Sequence, residues 1–410
     1  MYADCTYNQI FVTRVEQPTA LLLVTHGHTP HLAYPHPKEP AMSAQPDRAA
    51  LETYASRVRG CLLGGAIGDA LGGPVEFWDL AKIRAEVGDA GVRAYVADHG
   101  TYGRITDDTQ MTLVTVEGMI RASVRTDRGI GFTRAVVHNA YLRWLHTQEA
   151  AGPDGSSNGW LINEAWLYSR RAPGVTCMGA LREVGTRQHL GNQADNHSKG
   201  CGGVMRSAPF GLTWPWIDQD WQFESAAEVA GYTHGHPTGQ LASGALAVMI
   251  GAVVAGSSLT DAVQTALNHL SRREHHQETT TALQRAIEAS HNQPSAEAME
   301  SLGAGWVADE ALAMATYAAL CYPGPDQMLD ALALAVTHSG DSDSTGAICG
   351  NILGALHGET ALPVELAFEV EGRPTILTLA DDFIYEFTKS SSLHGDYGPF
   401  TRWNHRYPGG

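Results

Sequence analysis

Two acidic turns stand out in this sequence: Thr106-Asp107-Asp108-Thr109 and Gly340-Asp341-Ser342-Asp343-Ser344-Thr345-Gly346. Each sets carboxylates beside hydroxyls and runs straight into a stretch rich in small and apolar residues. Brought to one point, they would supply four carboxylates and several hydroxyls, a hard-oxygen donor set suited to Mg²⁺ or Mn²⁺ rather than to zinc. Carboxylates that close repel one another, and some stay protonated unless divalent ions relieve the charge. Two ions about 4 Å apart are the usual binuclear arrangement. Each turn also has a plainer reading. Thr106 is a good N-cap, and acids in a first helical turn suit the helix dipole. Asp341-Ser342-Asp343 opens like a calcium loop, but the glycine and distal glutamate of an EF-hand are missing.

Helices must position these turns. From about Tyr54 the apolar residues fall at helical spacing, as in Val58, Leu62, Leu63, Ile67 and Leu71. Gly64, Gly68 and Gly72 lie four apart and form a bare stripe where another backbone can come close; Asp69 sits within it. Further helical patterns cover about 108–123, 132–150, 225–231, 238–256, 259–270, 279–290, 307–321, 325–336, 345–357 and 376–388. Short alternating apolar runs near 91–97 and 363–370 are the only strand signals, and no β-α alternation repeats. These patterns predict an all-α fold, one multi-helix domain over 54–410. Loops at 152–159, 189–209 and 291–305 are long, and long loops on a helical scaffold are where binding residues gather. Residues 1–53 differ: six prolines and a histidine cluster (His26, His28, His31, His36) predict a loosely structured extension, with Met42 as an alternative start.

Composition bounds the function. A formal charge of −17 over 410 residues argues against general nucleic-acid binding and against anionic membranes. Six scattered cysteines without a Cys-x-x-Cys pair fit a reduced, cytoplasmic setting better than a disulfide frame. No signal-peptide pattern is evident. The uncharged run from Leu241 to Gly256 is shorter than the about twenty residues a spanning helix needs, so it predicts a buried helix.

Five motifs in order extend the picture. Gly60-Cys61-Leu62-Leu63-Gly64-Gly65-Ala66-Ile67-Gly68-Asp69-Ala70-Leu71-Gly72 is followed by Pro74-Val75-Glu76-Phe77. Then come the Thr-Asp-Asp-Thr turn, Thr233-His234-Gly235-His236-Pro237, Gly303-Ala304-Gly305-Trp306-Val307 and His338-Ser339-Gly340-Asp341-Ser342-Asp343, with Arg406-Tyr407-Pro408-Gly409 at the end. Over about 57–409 the chain resembles the ADP-ribosylglycohydrolases, which include the enzyme that reactivates dinitrogenase reductase. The resemblance implies a compact orthogonal all-α fold with two Mg²⁺ or Mn²⁺ ions at the cleft floor. It also implies cleavage of the N- or O-glycosidic bond between ADP-ribose and an acceptor.

Carried over by residue, Thr106, Asp107, Asp108, Asp341, Asp343 and Ser344 are implied metal ligands; Ser344 stands where threonine is frequent and keeps the hydroxyl. Glu76, a surface residue on its own merits, is implied to gate the cleft or handle protons, a role open also to Asp108 and Asp341. Ser198–Arg206 resembles the ligand loop, with Gly202 and Gly203 letting backbone N–H groups reach a pyrophosphate. Cys201 replaces a frequent asparagine there. Arg206 pairs with phosphate or with a nearby acid. His234 is a ligand contact by resemblance and a packed core residue by itself. Trp306 is a ligand-facing aromatic or a structural one. The implied reaction reverses mono-ADP-ribosylation, with arginine, serine, a nucleobase or an acetyl ester as acceptor; the acidic surface favours arginine. The partner is then an ADP-ribosylated protein or small molecule. An immunity protein that blocks an ADP-ribosyltransferase toxin through residues 1–53, and a binuclear phosphoesterase, are the alternatives.

Overall fold

A computed structural model describes residues 47–155, 158–213, 217–389 and 402–408. Residues 1–46 of the extension read over 1–53 lie outside the described residues, as does Gly409 of the terminal motif. Sixteen α-helices are described. They are α1 (Arg48–Gly72), α2 (Leu80–Val87), α3 (Asp107–Asp127), α4 (Ala135–Glu149), α5 (Val175–Glu183), α6 (Gln219–Gly231), α7 (Pro237–Val254), α8 (Leu259–Leu270), α9 (Gln277–Ser290), α10 (Ala296–Glu300), α11 (Ala308–Cys321), α12 (Met328–Val336), α13 (Ser342–His357), α14 (Val364–Glu369), α15 (Arg373–Lys389) and α16 (Arg402–Arg406). Among the described residues there is no strand, only isolated bridges such as Gly200 with Val307. The fold is all-α, as the periodicity predicts.

Two local expectations change. The first helix starts at Arg48, six residues before Tyr54, because Asp47 caps it: its carboxylate accepts from Ala50 N at 2.8 Å. The alternating run near 363–370 is helix α14, and the run near 91–97 is irregular. Alternation over so few residues does not outweigh packing on a helical core.

The centre of the molecule is the contact of α1 with α13, the most extensive between any two described elements. It is built from facing glycines. A methyl group on Gly60, Gly64 or Gly68 would overlap the backbone of Gly354, Gly350 or Gly346 respectively, and the reverse holds. One turn on, Gly72 meets the backbone of Ser342 and Asp343, so the stripe ends at the second acidic turn. Asn351 of α13 seals the pair by donating to Cys61 O at 2.8 Å.

Helix α3 packs on α4, and a buried Glu117 ties the two together. Its carboxylate accepts from Arg121 at 2.9 Å and from Arg143 of α4 at 2.8 Å. Burial alone would raise this carboxyl, but Arg143 and Arg121 together hold it below the usual range. Helix α7 is long and apolar enough to cross a membrane, yet 89% of it is buried among α6, α8, α11 and α13. It is a core helix. Near the end of the described chain, Arg406 and Tyr407 both bond the Asp382 carboxylate of α15, at 2.6 Å and 2.5 Å.

The facing glycines leave no room for side chains. Gly68→Ala should lower the unfolding free energy by about 1–3 kcal/mol, because a methyl must displace backbone. Gly179→Ala, in α5 with nothing within 4 Å, should be neutral or stabilise by about 0.5–1 kcal/mol. Urea unfolding of the two variants checks the contrast.

Candidate active site

Helix α3 begins at the first acidic turn. Thr106 is its N-cap, and the Thr106 hydroxyl accepts from Asp108 N at 3.2 Å. Helix α13 begins at the second. Asp341 is its N-cap, accepting from Ser344 N at 3.3 Å. The capping reading of the first turn is therefore correct, and the second turn proves to be a cap as well, but capping is half of the picture. Residues at two helix N-termini, both close to α1, are all buried: Thr106, Asp107, Asp108, Asp341, Asp343 and Ser344 are each at most 8% exposed.

The carboxylates share one field. Burial raises Asp107, Asp108 and Asp341 well above the usual carboxylate range, and Asp343 is the leading charge against each of them. Glu76 belongs to the same group. It is buried, not a surface residue, and is pushed up to about 10 by burial and then by Asp343, Asp341, Asp107 and Asp69. Among the described residues no lysine or arginine pairs with any acid of the cluster. Asp108 Oδ1 is buried with no hydrogen-bond partner, a costly state for a polar atom. That orphan oxygen, the hard donor set and the uncompensated charge all fit a divalent cation. Among the described residues, however, no three His, Cys, Asp or Glu side chains already stand in ligating geometry. The donors are gathered without being closed on one point.

Asp69 is the residue that sequence reasoning missed. From α1 it accepts from Thr106 N and from Thr109 N, each at 3.0 Å, and from the Thr109 hydroxyl at 2.5 Å. It therefore holds the whole first turn in place. Burial and then Asp343 raise its carboxyl to about 7, against these bonds. The available signal was its position: a carboxylate in an otherwise apolar, glycine-rich helix is buried with that helix and needs hydrogen-bond donors. Asp107 is steadied separately by Gly174 N at 3.3 Å.

The ligand-loop residues lie alongside. Cys201 to Gly203 form a short 3₁₀ turn, joined to the Trp306 segment by Cys201 N to Trp306 O at 3.2 Å and Ala308 N to Lys199 O at 2.9 Å. The Cys201 thiol donates to Asp341 Oδ2 at 2.7 Å, so the residue standing in place of asparagine touches the cluster directly. Trp306 is 43% exposed and stacks on Phe77, 74% exposed, with ring centroids 5.8 Å apart. Phe77 directly follows Glu76, so this exposed pair lies beside the cluster. Phe77 was not singled out from sequence. His234 is buried and touches the loop: a methyl on Gly202 would sit 3.0 Å from its Cε1.

Arg206 lies in the core, away from the acid expected as one of its two partners. It is 1% exposed and forms no ion pair among the described residues. Its guanidinium lies 4.1 Å over the Tyr141 ring and donates to the Thr233 hydroxyl at 2.6 Å. The loop turns its end into the core, and no acid among the described residues pairs with it.

The sequence model of the ADP-ribosylglycohydrolase family matches residues 50–392. The chain belongs to the ADP-ribosylglycohydrolase family. An uncharacterized protein of Archaeoglobus fulgidus is 30% identical over 306 residues, covering 73% of this chain and 87% of that protein. The uncharacterized protein YegU of Escherichia coli (strain K12) is 24% identical over 334 residues, covering 77% and 92%. A solved structure titled "ADP-ribosylglycohydrolase-related protein complex" superposes with a TM-score of 0.60 at 22% identity, covering 82% of this chain and 99% of that one. That likeness is one of fold. Membership of the family supports a glycohydrolase.

The acid cluster sets how the cation-free protein responds to pH. Asp69 and Glu76 have raised folded values, so the folded state keeps protons that the unfolded chain releases. Their contribution is complete below the ordinary carboxyl value of about 4. It is lost as pH rises through about 7 for Asp69 and about 10 for Glu76. In EDTA the thermal midpoint should fall as pH rises across this window. Asp343→Asn removes the leading charge and should flatten the fall; a thermal-melt series from pH 5 to pH 9 reads the difference.

Proposed function

We propose that this glycohydrolase hydrolyses the bond between C1″ of the distal ribose of ADP-ribose and a modified acceptor, with protein-bound arginine as the favoured acceptor. The observation that carries the proposal is the buried cluster of six acids, Asp69, Glu76, Asp107, Asp108, Asp341 and Asp343, beside a glycine-rich loop and an exposed aromatic pair. Thr106, Asp107, Asp108, Asp341, Asp343 and Ser344 would hold two Mg²⁺ or Mn²⁺ ions. When bound, such ions orient a vicinal diol and acidify water.

The chain's own groups divide the remaining work. Asp69 does not reach outward; its bonds to the α3 turn fix where Asp107 and Asp108 point. Asp341 already accepts from Cys201 and from Ser344 N, which holds its carboxylate in one orientation. Asp108 keeps one oxygen free of the protein. Glu76 lies at the edge of the cluster next to Phe77. Burial raises its carboxyl in the cation-free protein, with the charge of its neighbours, and Glu76 is the group we assign to carry a proton between acceptor and water. Loss of the acceptor leaves positive charge on the sugar ring, as in glycoside cleavage generally, and the surrounding carboxylates favour that charge. Phe77 and Trp306 offer flat faces at the mouth for a base or for the acceptor. The −17 charge favours cationic, arginine-bearing partners. The proposed setting is the cytoplasm.

The test uses a protein ADP-ribosylated on arginine, with and without EDTA. Release of free ADP-ribose without phosphate, abolished by EDTA and restored by Mg²⁺ or Mn²⁺, is the expected result; phosphate release would replace this reading by phosphoesterase chemistry. Glu76→Gln should lower turnover about 10²–10⁴-fold with ADP-ribose affinity largely kept. Asp108→Asn should lower turnover and cation affinity together, as read by calorimetry.

A further inference from the structure

Arg206, Thr233 and His234 form a hydrogen-bond chain that ends at the ligand loop. Arg206 Nη2 lies 2.6 Å from the Thr233 hydroxyl oxygen, and that oxygen lies 2.8 Å from His234 Nδ1. A guanidinium has donors only, so the threonine oxygen must accept from it. The threonine proton then has three neighbours, Ala230 O at 3.3 Å, the weakly accepting Cys177 sulfur, and His234 Nδ1 at 2.8 Å, the strongest acceptor still open. Ala230 O already accepts from Thr233 N at 3.1 Å and from His234 N at 3.0 Å. Both of its lone pairs are in use. The hydroxyl proton therefore goes to Nδ1, and a neutral imidazole that accepts at Nδ1 carries its own proton on Nε2.

We infer that Arg206, acting through the Thr233 hydroxyl, holds His234 in its Nε2–H form, so that His234 presents one hydrogen-bond donor to the loop of Gly200 and Gly202. Arg206 is thus a positioning residue, not a ligand contact. The ring edge faces that loop: methyl groups built on Gly200 and Gly202 would each lie 3.4 Å from His234 Nε2. No described residue hydrogen-bonds this nitrogen. Burial, and then the Arg206 charge, push His234 down to about 3, so the ring stays neutral and has one proton to place. The arrangement also accounts for a buried guanidinium without an acid. A carboxylate partner would compete for the donor that the Thr233 hydroxyl needs, and the Tyr141 face takes up part of the charge. A donor at Nε2 suits an oxygen-rich ligand such as a ribose hydroxyl or a phosphate oxygen. That last step rests on the proposed function; the hydrogen-bond chain does not.

The chain is tested on the ligand-free protein. Long-range ¹H–¹⁵N correlation of histidine-labelled protein at pH 7, with His234 assigned through His234→Gln, should show a protonated Nε2 and a bare Nδ1. Neutron diffraction of the wild type reads the same proton without any variant. Thr233→Val should release the ring to a mixture with the Nδ1–H form, Thr233→Ser should restore Nε2–H, and Arg206→Met should loosen it where Arg206→Lys does not. A wild-type ring protonated on Nδ1, or a tautomer indifferent to both Thr233→Val and Arg206→Met, overturns the inference. ADP-ribose titration separates the two levels: Thr233→Val should weaken binding about tenfold, equal to 1.4 kcal/mol, and Thr233→Ser should recover it. A wild type that shows the tautomer but no ADP-ribose binding leaves the chain standing and removes the functional reading.

Discussion

The close approach of two helix backbones governs this structure. Along α1 and α13, glycine faces glycine over Gly60, Gly64 and Gly68 against Gly354, Gly350 and Gly346. Side chains at these positions would hold helices at the usual 8–10 Å; bare backbone lets them come nearer. The gain is positional. Asp69, on the adjoining face of α1, reaches the turn at Thr106, while Gly72 admits the backbone of Ser342 and Asp343. Acids from three distant parts of the chain meet because one pair of helices has no side chains between them.

Packing that brings like charges together has a cost, and the fold distributes it. Backbone N–H groups at two helix starts, the Thr109 hydroxyl on Asp69, the Gly174 amide on Asp107 and the Cys201 thiol on Asp341 each satisfy one carboxylate oxygen. They leave the net charge in place. Opposite charge is spent elsewhere in the fold: Arg121 and Arg143 go to Glu117, and Arg206 goes to no acid at all. The site is the part of the molecule where polar groups are ordered yet electrostatically unfinished, the pattern expected where function overrides stability.

Much of this was legible before the fold was known. Helical periodicity gave the all-α class and most element limits, since long apolar stripes are strong signals. The two turns announced themselves by composition, and their order with the other motifs placed Glu76, His234 and Trp306. Three things were not legible. Asp69 looked like an oddity within a packing stripe, because its partners lie about forty residues away at Thr106 and Thr109. Arg206 was left between a phosphate and an acid because a cation is ordinarily matched to an anion; only the aromatic and hydroxyl groups around it show that it points into the core. Phe77 carries no pattern of its own, and its stack on Trp306 joins segments some 230 residues apart.

The pairing of α1 with α13 also sets a timetable. Roughly 270 residues of chain separate Gly72 from Ser342. At about 5–20 residues per second, a ribosome needs on the order of tens of seconds to deliver the second helix after the first. Throughout that interval the nascent α1 has an uncovered groove and no mate. High contact order of this kind slows the final collapse. It also means that a prematurely terminated chain inherits half of each acidic pairing and none of the enclosure that gives it meaning.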